Sequence, residues 1–413
     1  MDSSHQPSLL QEINPASLAA KPRRSWKLGQ RAAQVTLVFL LCVGVFLSLF
    51  PLGRALTRGA FLLPALLSAS EPVPLVLAGT AEHFKRLTLY PNTSRTVYLD
   101  IYEPTTVPPP LPGGREAIVV VPGVGDNRAV PQLVNLSQSL AHEGIVDVNV
   151  GTPTIFDYRA SAQDGEAVVQ AFEFMEHWPG VDPQRIGIIT FSVGSLMAYV
   201  AAGDPRIRDR VAFVGVLGGY ADATSLLRTV ATRTQDINGR IQPWQPISTT
   251  LYVLNRSMSS LFSPADQRLM QEAFPLETTL PPPLPARQLA KLSPVAAAYY
   301  HLLEGDEPGS VNHNLAALTP PLKARLTQLS PLSFISQIRA PIHLLHDRND
   351  PDIPFAQTQE MASALARIHH PYDLSAYSIF SHVVIQGNLN LPQELGDGSK
   401  LFGVLTSILL VGS

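Results

Sequence analysis

At 413 residues, with a formal net charge of −3 and 15% charged side chains, the chain carries no global basic field, which excludes nucleic acid as a partner bound by charge. Its single cysteine, Cys42, excludes an intramolecular disulfide and a thiolate metal cluster. The length allows one large domain or two, and 37 prolines point to long proline-studded segments rather than a helical bundle.

Residues 1–34 form a polar and then basic tail that carries Lys21, Arg23, Arg24, Lys27 and Arg31. An apolar run, Val35–Leu52, follows; with Ala32 and Ala33 it approaches the roughly 20 residues that a membrane-spanning helix needs. Five positive charges precede it, against Arg54 and Arg58 behind it, so the expectation is a single-pass anchor over 35–52 with a cytoplasmic N-terminus and the remainder extracytoplasmic. A cleaved signal peptide is disfavoured, because the small-residue site Ser68-Ala69-Ser70 lies far behind the run. Residues 53–82 read as an apolar, proline-rich linker. If 61–78 also crossed, the rest of the chain would face the cytoplasm, but Pro64, Glu71, Pro72 and Pro74 oppose that.

From residue 83 the pattern changes. Residues 84–102 alternate apolar and polar residues around a polar turn, as a hairpin does. Ala117–Val121 is a continuous apolar run of the kind found in a buried parallel strand. Helical stretches at 129–143, 164–178 and 192–202 then alternate with strands at 145–150, 185–191 and 211–217, which predicts a mostly parallel central sheet flanked by helices. The alternation stops at Tyr220 and resumes at Pro341. Residues 221–338 are too long for a loop and read as a largely helical cap inserted between a first core segment, 83–220, and a second, 339–413. The last elements expected are a helix over 355–368, a strand over 372–379 and a packed C-terminal helix from about residue 400. The proline-rich segments at 108–112 and 281–285 read as stiff surface loops. Three N-x-S/T sequons stand at Asn92, Asn135 and Asn255.

The stretch Thr190-Phe191-Ser192-Val193-Gly194 joins a strand directly to a helix. It matches the nucleophile elbow G-x-S-x-G with threonine in place of the first glycine. Such a turn throws the serine hydroxyl out of the backbone and requires small residues two before and two after it. On these residues the chain from about 84 to the C-terminus, apart from the cap, resembles the α/β-hydrolase family, in particular its esterase, lipase and dienelactone-hydrolase-like members.

The resemblance implies a triad in the chain order serine, acid, histidine. Ser192 is then the nucleophile. In the segment 343–354 Asp350 stands where the family carries its acid, ahead of Ile353-Pro354, with Asp347 and Asp352 as rivals. His382 lies behind the last strand; His369 and His370 precede that strand and would point away. The resemblance also implies an oxyanion hole from the backbone N–H groups of Val193, just after the nucleophile, and Val124, after the first buried strand, where Pro122 replaces the family's usual histidine. No cofactor and no metal is implied.

The expected activity is that of a membrane-anchored serine hydrolase cleaving a small-molecule or lipid-like carboxylic ester through an acyl-enzyme. An acyltransferase or a short-peptide peptidase would use the same residues. A binding protein with a degraded site is the non-enzymatic alternative, to which Thr190 and Pro122 point. The cap aromatics Trp244, Tyr252, Phe262, Tyr299 and Tyr300 read mainly as helix-packing core.

Overall fold

The computed structural model describes residues 23–66, 82–93, 95–105, 114–277, 282–306, 308–385 and 391–411. The chain divides into two units, 1–54 and 55–413.

In the first unit, helix α1 (Arg23–Leu49) ends at Phe50, and α2 (Pro51–Leu66) begins at once. Pro51 offers no N–H to continue α1 and disfavours helical geometry at the residue before it. Gly53 permits the tight turn: a Cβ there would stand only 2.0 Å from the carbonyl oxygen of Phe46. The continuous span expected over 35–52 is therefore interrupted. Among the described residues no single helix is long and apolar enough to cross a membrane, and Ala33–Leu49 with Pro51–Pro64 meets that measure only as a broken pair.

The linker expected from residue 53 is also corrected, because residues 51–66 are helical. In the second unit, Ala55 and Leu62 of this helix are buried in the core. Arg58 pairs with Glu116 at 2.8 Å and donates to the carbonyl of Glu143. The segment from Phe61 to Leu66 thus belongs to a helix packed on the fold; the remainder of the 61–78 stretch, 67–78, lies outside the described residues.

The second unit is built on a sheet whose eight described strands are β1 (Glu82–Leu89), β2 (Val97–Pro104), β3 (Arg115–Val121), β4 (Val146–Gly151), β5 (Val181–Phe191), β6 (Val211–Leu217), β9 (Ile342–Asp347) and β10 (Tyr372–Tyr377). Their order is β1-β2-β4-β3-β5-β6-β9-β10. β1 and β2 form the expected antiparallel hairpin, with Phe84 opposite Tyr102; β2 meets β4 antiparallel, and all later neighbours are parallel. Alternation along a buried strand sends its side chains into two layers. Ala117, Val119 and Val121 of β3 pack with Phe172, Met175 and Met197 from α4 (Gly165–Glu176) and α5 (Gly194–Ala202). Ile118 and Val120 pack on the opposite face with α2, α3 (Pro131–His142) and the C-terminal helix, α13 in the numbering used here (Leu391–Val411). α12 (Phe355–Arg367) joins the first layer.

Between β6 and β9 lies the long insertion. It contains α6 (Ala223–Thr232), α7 (Ser248–Met258), α8 (Pro264–Ala273), α9 (Pro294–Glu304), α10 (Pro308–Ala317) and α11 (Pro320–Gln328). Prolines open several of these helices. Ser263-Pro264, Ser293-Pro294 and Thr319-Pro320 place proline at the first helical position, where its missing N–H would be unpaired anyway. The insertion also holds a hairpin that the helical reading missed, β7 (Thr234–Ile237) with β8 (Arg240–Pro243), turning on Asn238 and Gly239 at φ 53° and 79°. Phe262, Tyr299 and Tyr300 are buried in the insertion's own core. Two of the sequon asparagines, Asn135 and Asn255, are buried, whereas Asn92 sits in an exposed turn.

Phe172 is fully buried where α4 meets the sheet, so Phe172→Ala leaves a cavity in the first layer. We expect it to cost about 3–5 kcal/mol, read as a lower urea midpoint at unchanged slope.

Candidate active site

The chain leaves β3 toward β4 on one side and leaves β5 toward β6 on the other. At such a reversal of strand order the loops diverge and open a crevice at the carboxyl ends of the strands. Ser192 lies there, directly after β5. Its φ of 54° is in the left-handed region, which costs a non-glycine residue about 1–3 kcal/mol and persists only where the surroundings enforce it. Its N–H donates to the carbonyl of Leu217 at the end of β6.

The requirement for a small residue at 194 is absolute in this geometry, since a Cβ on Gly194 would stand 2.4 Å from the carbonyl oxygen of Pro122. Thr190 is less of a departure than its size suggests. It is fully buried, and its hydroxyl donates to the carbonyl of Val121 at 3.1 Å, tying β5 to β3 beneath the turn.

Asp350 and His382 meet. His382 Nδ1 lies 2.7 Å from Asp350 Oδ2, with the carboxylate fully buried and the imidazole partly so. Asp350 Oδ1 accepts the N–H groups of Asp352 and Ile353, and its backbone carbonyl accepts from Trp244 Nε1 at 2.7 Å. His346 Nε2 stands 3.3 Å from Oδ2. His382 occupies the turn of a small hairpin, β11 (Phe380–Ser381) and β12 (Val384–Ile385), at φ 58°.

The rival Asp347 is used otherwise. Its two oxygens accept the N–H groups of Asn349 and Phe380, so it fastens the hairpin to the end of β9. Asp352 is near: one of its oxygens shares a 4.8 Å cluster with donor atoms of Asp350 and His382. A cation in that cluster would have to displace the hydrogen bond between His382 Nδ1 and Asp350, so the donor set fits an imidazole–carboxylate pair better than a metal centre. His370 is remote from the cluster, with Nε2 at 2.8 Å from the carbonyl of Ala340.

Burial opposes a charge on His382, but the carboxylates of Asp350 and Asp352 outweigh it and raise the imidazole above its ordinary value. Burial alone would raise Asp350; the imidazoles of His382 and His346 hold it far below the usual carboxylate range. Asp352 is pushed up by burial.

The two expected oxyanion donors flank the serine. Gly123 is close enough that an added Cβ would stand 3.2 Å from Ser192 Cβ. Asn127 Nδ2 donates to the carbonyls of Gly123 and Val124, which gathers both oxygens on its own amide. Val193 caps α5. Among the described residues neither the Val124 nor the Val193 N–H meets a protein acceptor. Val124, Val193, Ser192 and His382 line one cavity of about 400 Å³.

Sequence reasoning missed the residues that hold the pair. Gly218, at φ 62°, lets β6 end against it: a Cβ there would stand 3.1 Å from His382 Nδ1 and 3.4 Å from Asp350 Oδ2. The Gly218-Gly219 pair just after an apolar strand was the available signal. His346 and Trp244 carried none, because each reads as ordinary core until the fold brings it to Asp350.

This architecture is the α/β-hydrolase fold. No protein-family model matches the chain, and no curated protein does. Among solved structures, a putative dipeptidyl aminopeptidase IV from Bacteroides ovatus is 12% identical at TM-score 0.46, over 79% of this chain and 36% of that one. A puromycin-hydrolyzing peptidase from Mycobacterium tuberculosis is 17% identical at TM-score 0.45, over 79% and 39%. An acylaminoacyl peptidase from Pyrococcus horikoshii is 13% identical at TM-score 0.43, over 79% and 41%. The chain thus spans well under half the length of these structures, and the fold assignment rests on its own strand order and elbow.

The coupling of His382 to Asp350 is measurable without any substrate. The imidazole should titrate above about 6.5 in the intact protein and below it in Asp350→Asn, where burial acts unopposed by that carboxylate. Imidazole NMR signals followed against pH check this; an unchanged midpoint would break the assignment.

Proposed function

We propose that this chain is a serine hydrolase that cleaves carboxylic esters, with Ser192 as nucleophile, His382 as general base and Asp350 as the acid that orients it. The observation that carries the reading is the 2.7 Å pair of His382 and Asp350 lining the same cavity as a serine held at positive φ on an elbow. With Nδ1–H given to Asp350, the other ring nitrogen is the one left to accept a proton. His382 Nε2 takes the proton from Ser192 as its Oγ attacks the carbonyl carbon. The N–H groups of Val124 and Val193 receive the developing oxyanion. The imidazolium then protonates the leaving alcohol, and water, activated by the same nitrogen, hydrolyses the acyl-enzyme.

An ester fits the cavity better than a peptide. Its lining is mostly hydrocarbon and, among the described residues, includes no lysine or arginine to receive a peptide carboxylate. A membrane tether by the apolar stretch 35–52, most of it in α1, is part of the same proposal. Val35, Leu37, Val38, Phe39, Leu40 and Leu41 of α1 are all more than half exposed, an apolar surface that demands cover. The basic residues ahead of it favour a cytoplasmic N-terminus and an extracytoplasmic hydrolase unit.

A fluorophosphonate probe should label the wild-type chain and leave Ser192→Ala untouched, with ester hydrolysis in that variant down about 10⁴-fold or more. An inert wild type, or labelling that survives Ser192→Ala, would sink the hydrolase reading. The full chain should also stay with the membrane pellet through alkaline carbonate, and release into the supernatant would remove the tether.

A further inference from the structure

The cavity at Ser192 does not lie only beneath the insertion. It continues past the serine to the opposite face of the sheet, where Leu62 of α2, Ile118 of β3, Leu136 of α3, Gly215 of β6, and Val404 and Ile408 of α13 line it. We infer, resting on the hydrolase reading above, that this slot between the sheet and helices α2, α3 and α13 takes the long, unbranched acyl chain of the substrate, while the alcohol part faces the insertion.

Three observations carry this. The first is chemistry. These six walls are hydrocarbon or bare backbone, so nothing in them would orient a sugar, a base or a peptide. A polymethylene chain is the ligand that asks for no such group. The insertion contributes Thr249, Thr250 and Ser257 of α7 to the lining, hydroxyls suited to a polar leaving group, beside apolar Leu226, Val253 and Leu254.

The second is Gly215. It sits inside β6, where a glycine weakens a strand and commonly marks the close approach of a ligand or of another backbone. Its φ is not in the left-handed region, and a Cβ there would meet only Ile189 Cγ1 at 3.5 Å and Ile408 Cδ1 at 3.9 Å, which is ordinary contact. Neither backbone conformation nor crowding calls for glycine here. What the missing side chain leaves is room for about one carbon atom between Ile189 and Ile408, at a point where all three residues line the cavity.

The third is the far wall. Leu62 is almost fully buried on a helix that precedes the whole sheet in sequence, and Arg58 fastens that helix to Glu116 and to the carbonyl of Glu143. Gly59 of the same helix abuts Phe402 of α13. An apolar space is costly to leave empty in proportion to its volume, and about 400 Å³ lies within the range of ligand cavities. A helix recruited to close this space, rather than side chains grown to fill it, is what a chain-binding slot requires.

The test uses the full chain in detergent, with p-nitrophenyl esters of two to sixteen acyl carbons and with dodecyl acetate. For the wild type, kcat/KM should climb by roughly four-fold per methylene until the slot is full. Gly215→Val and Val404→Phe narrow the slot from opposite walls. Both should lose about ten-fold or more on acyl chains of twelve carbons and above, and keep their rate on chains of two to four. Retained short-chain hydrolysis shows that each variant is folded. A chain-length profile the same in both variants as in wild type, or dodecyl acetate preferred over long acyl esters, would overturn the slot while leaving the hydrolase reading intact. No hydrolysis of any ester, with Ser192 unlabelled by the probe, would overturn both.

Discussion

Everything at this site is arranged around the reversal of the chain at Ser192. A strand that must turn into a helix within two residues can do so only with one residue at positive φ, and here that residue is the serine itself. The conformation is unfavourable on its own and is held by its surroundings. Gly194 clears the carbonyls of β3 and its following loop, Thr190 hydrogen-bonds to the end of β3, and the Ser192 N–H is fixed to β6. Neighbouring strands on both sides of β5 therefore bear on one dihedral angle. The hydroxyl is presented to the cavity because the backbone has no other way to pass.

The acid and the imidazole reach the same place by a different route. Both lie on short segments beyond the carboxyl ends of β9 and β10, and such segments would be mobile unless fastened. Asp347 fastens one to the other by accepting the N–H of Phe380, two residues before His382. Asp350 is fastened by four neighbours at once: two backbone N–H groups, the Trp244 indole and the buried His346. With two backbone N–H groups, His346 and His382 on its oxygens, the buried carboxylate keeps its charge against the cost of burial. It therefore favours the protonated form of His382. Trp244 comes from the insertion, so the insertion supports the acid from behind as well as covering the site.

Much of this was legible in the sequence wherever a local pattern is also the physical requirement. A continuous apolar run marked β3, the alternation of strands with helices marked β4, helical periodicity marked α3, α4 and α12, and the strand–serine–glycine–helix sequence marked the elbow. Asp350 and His382 were legible through chain order, which the fold imposes. What was not legible is what depends on contacts between distant segments. Gly218 and Gly215 read alike as glycines at or near the end of an apolar run, yet one lies against the imidazole–carboxylate pair and the other lines the cavity. His346 and Trp244 look like core. Residues 51–66 carry Pro64 and two arginines and so read as a linker, because neither the partner of Arg58 nor the pocket for Leu62 exists until α13 and β3 are in place. The Asn238-Gly239 turn was a signal present and passed over, since its flanking strands are only four residues each.

The placement of α2 connects the two ends of the chain to the chemistry. α13 is the last described helix and α2 is the first helix of the second unit, and they meet at Gly59 and Phe402 over the face of the sheet that carries Ile118 and Gly215. In a sheet of this kind that face is ordinarily sealed by side chains filling the layer to crystal-like density. Here Leu62, Ile118, Val404 and Ile408 of that layer line the same cavity as Ser192. A segment with the composition of a linker has become a wall, and Arg58 attaches it to the fold. That residue is held by Glu116 at the start of β3 and by the carbonyl of Glu143 beyond α3, so the wall is fastened at the edge of the layer and presents Leu62 where the cavity lies. An apolar side chain such as Leu62, on a helix fixed at its margin, can meet hydrocarbon without breaking a hydrogen bond of its own. That property suits a slot for a chain.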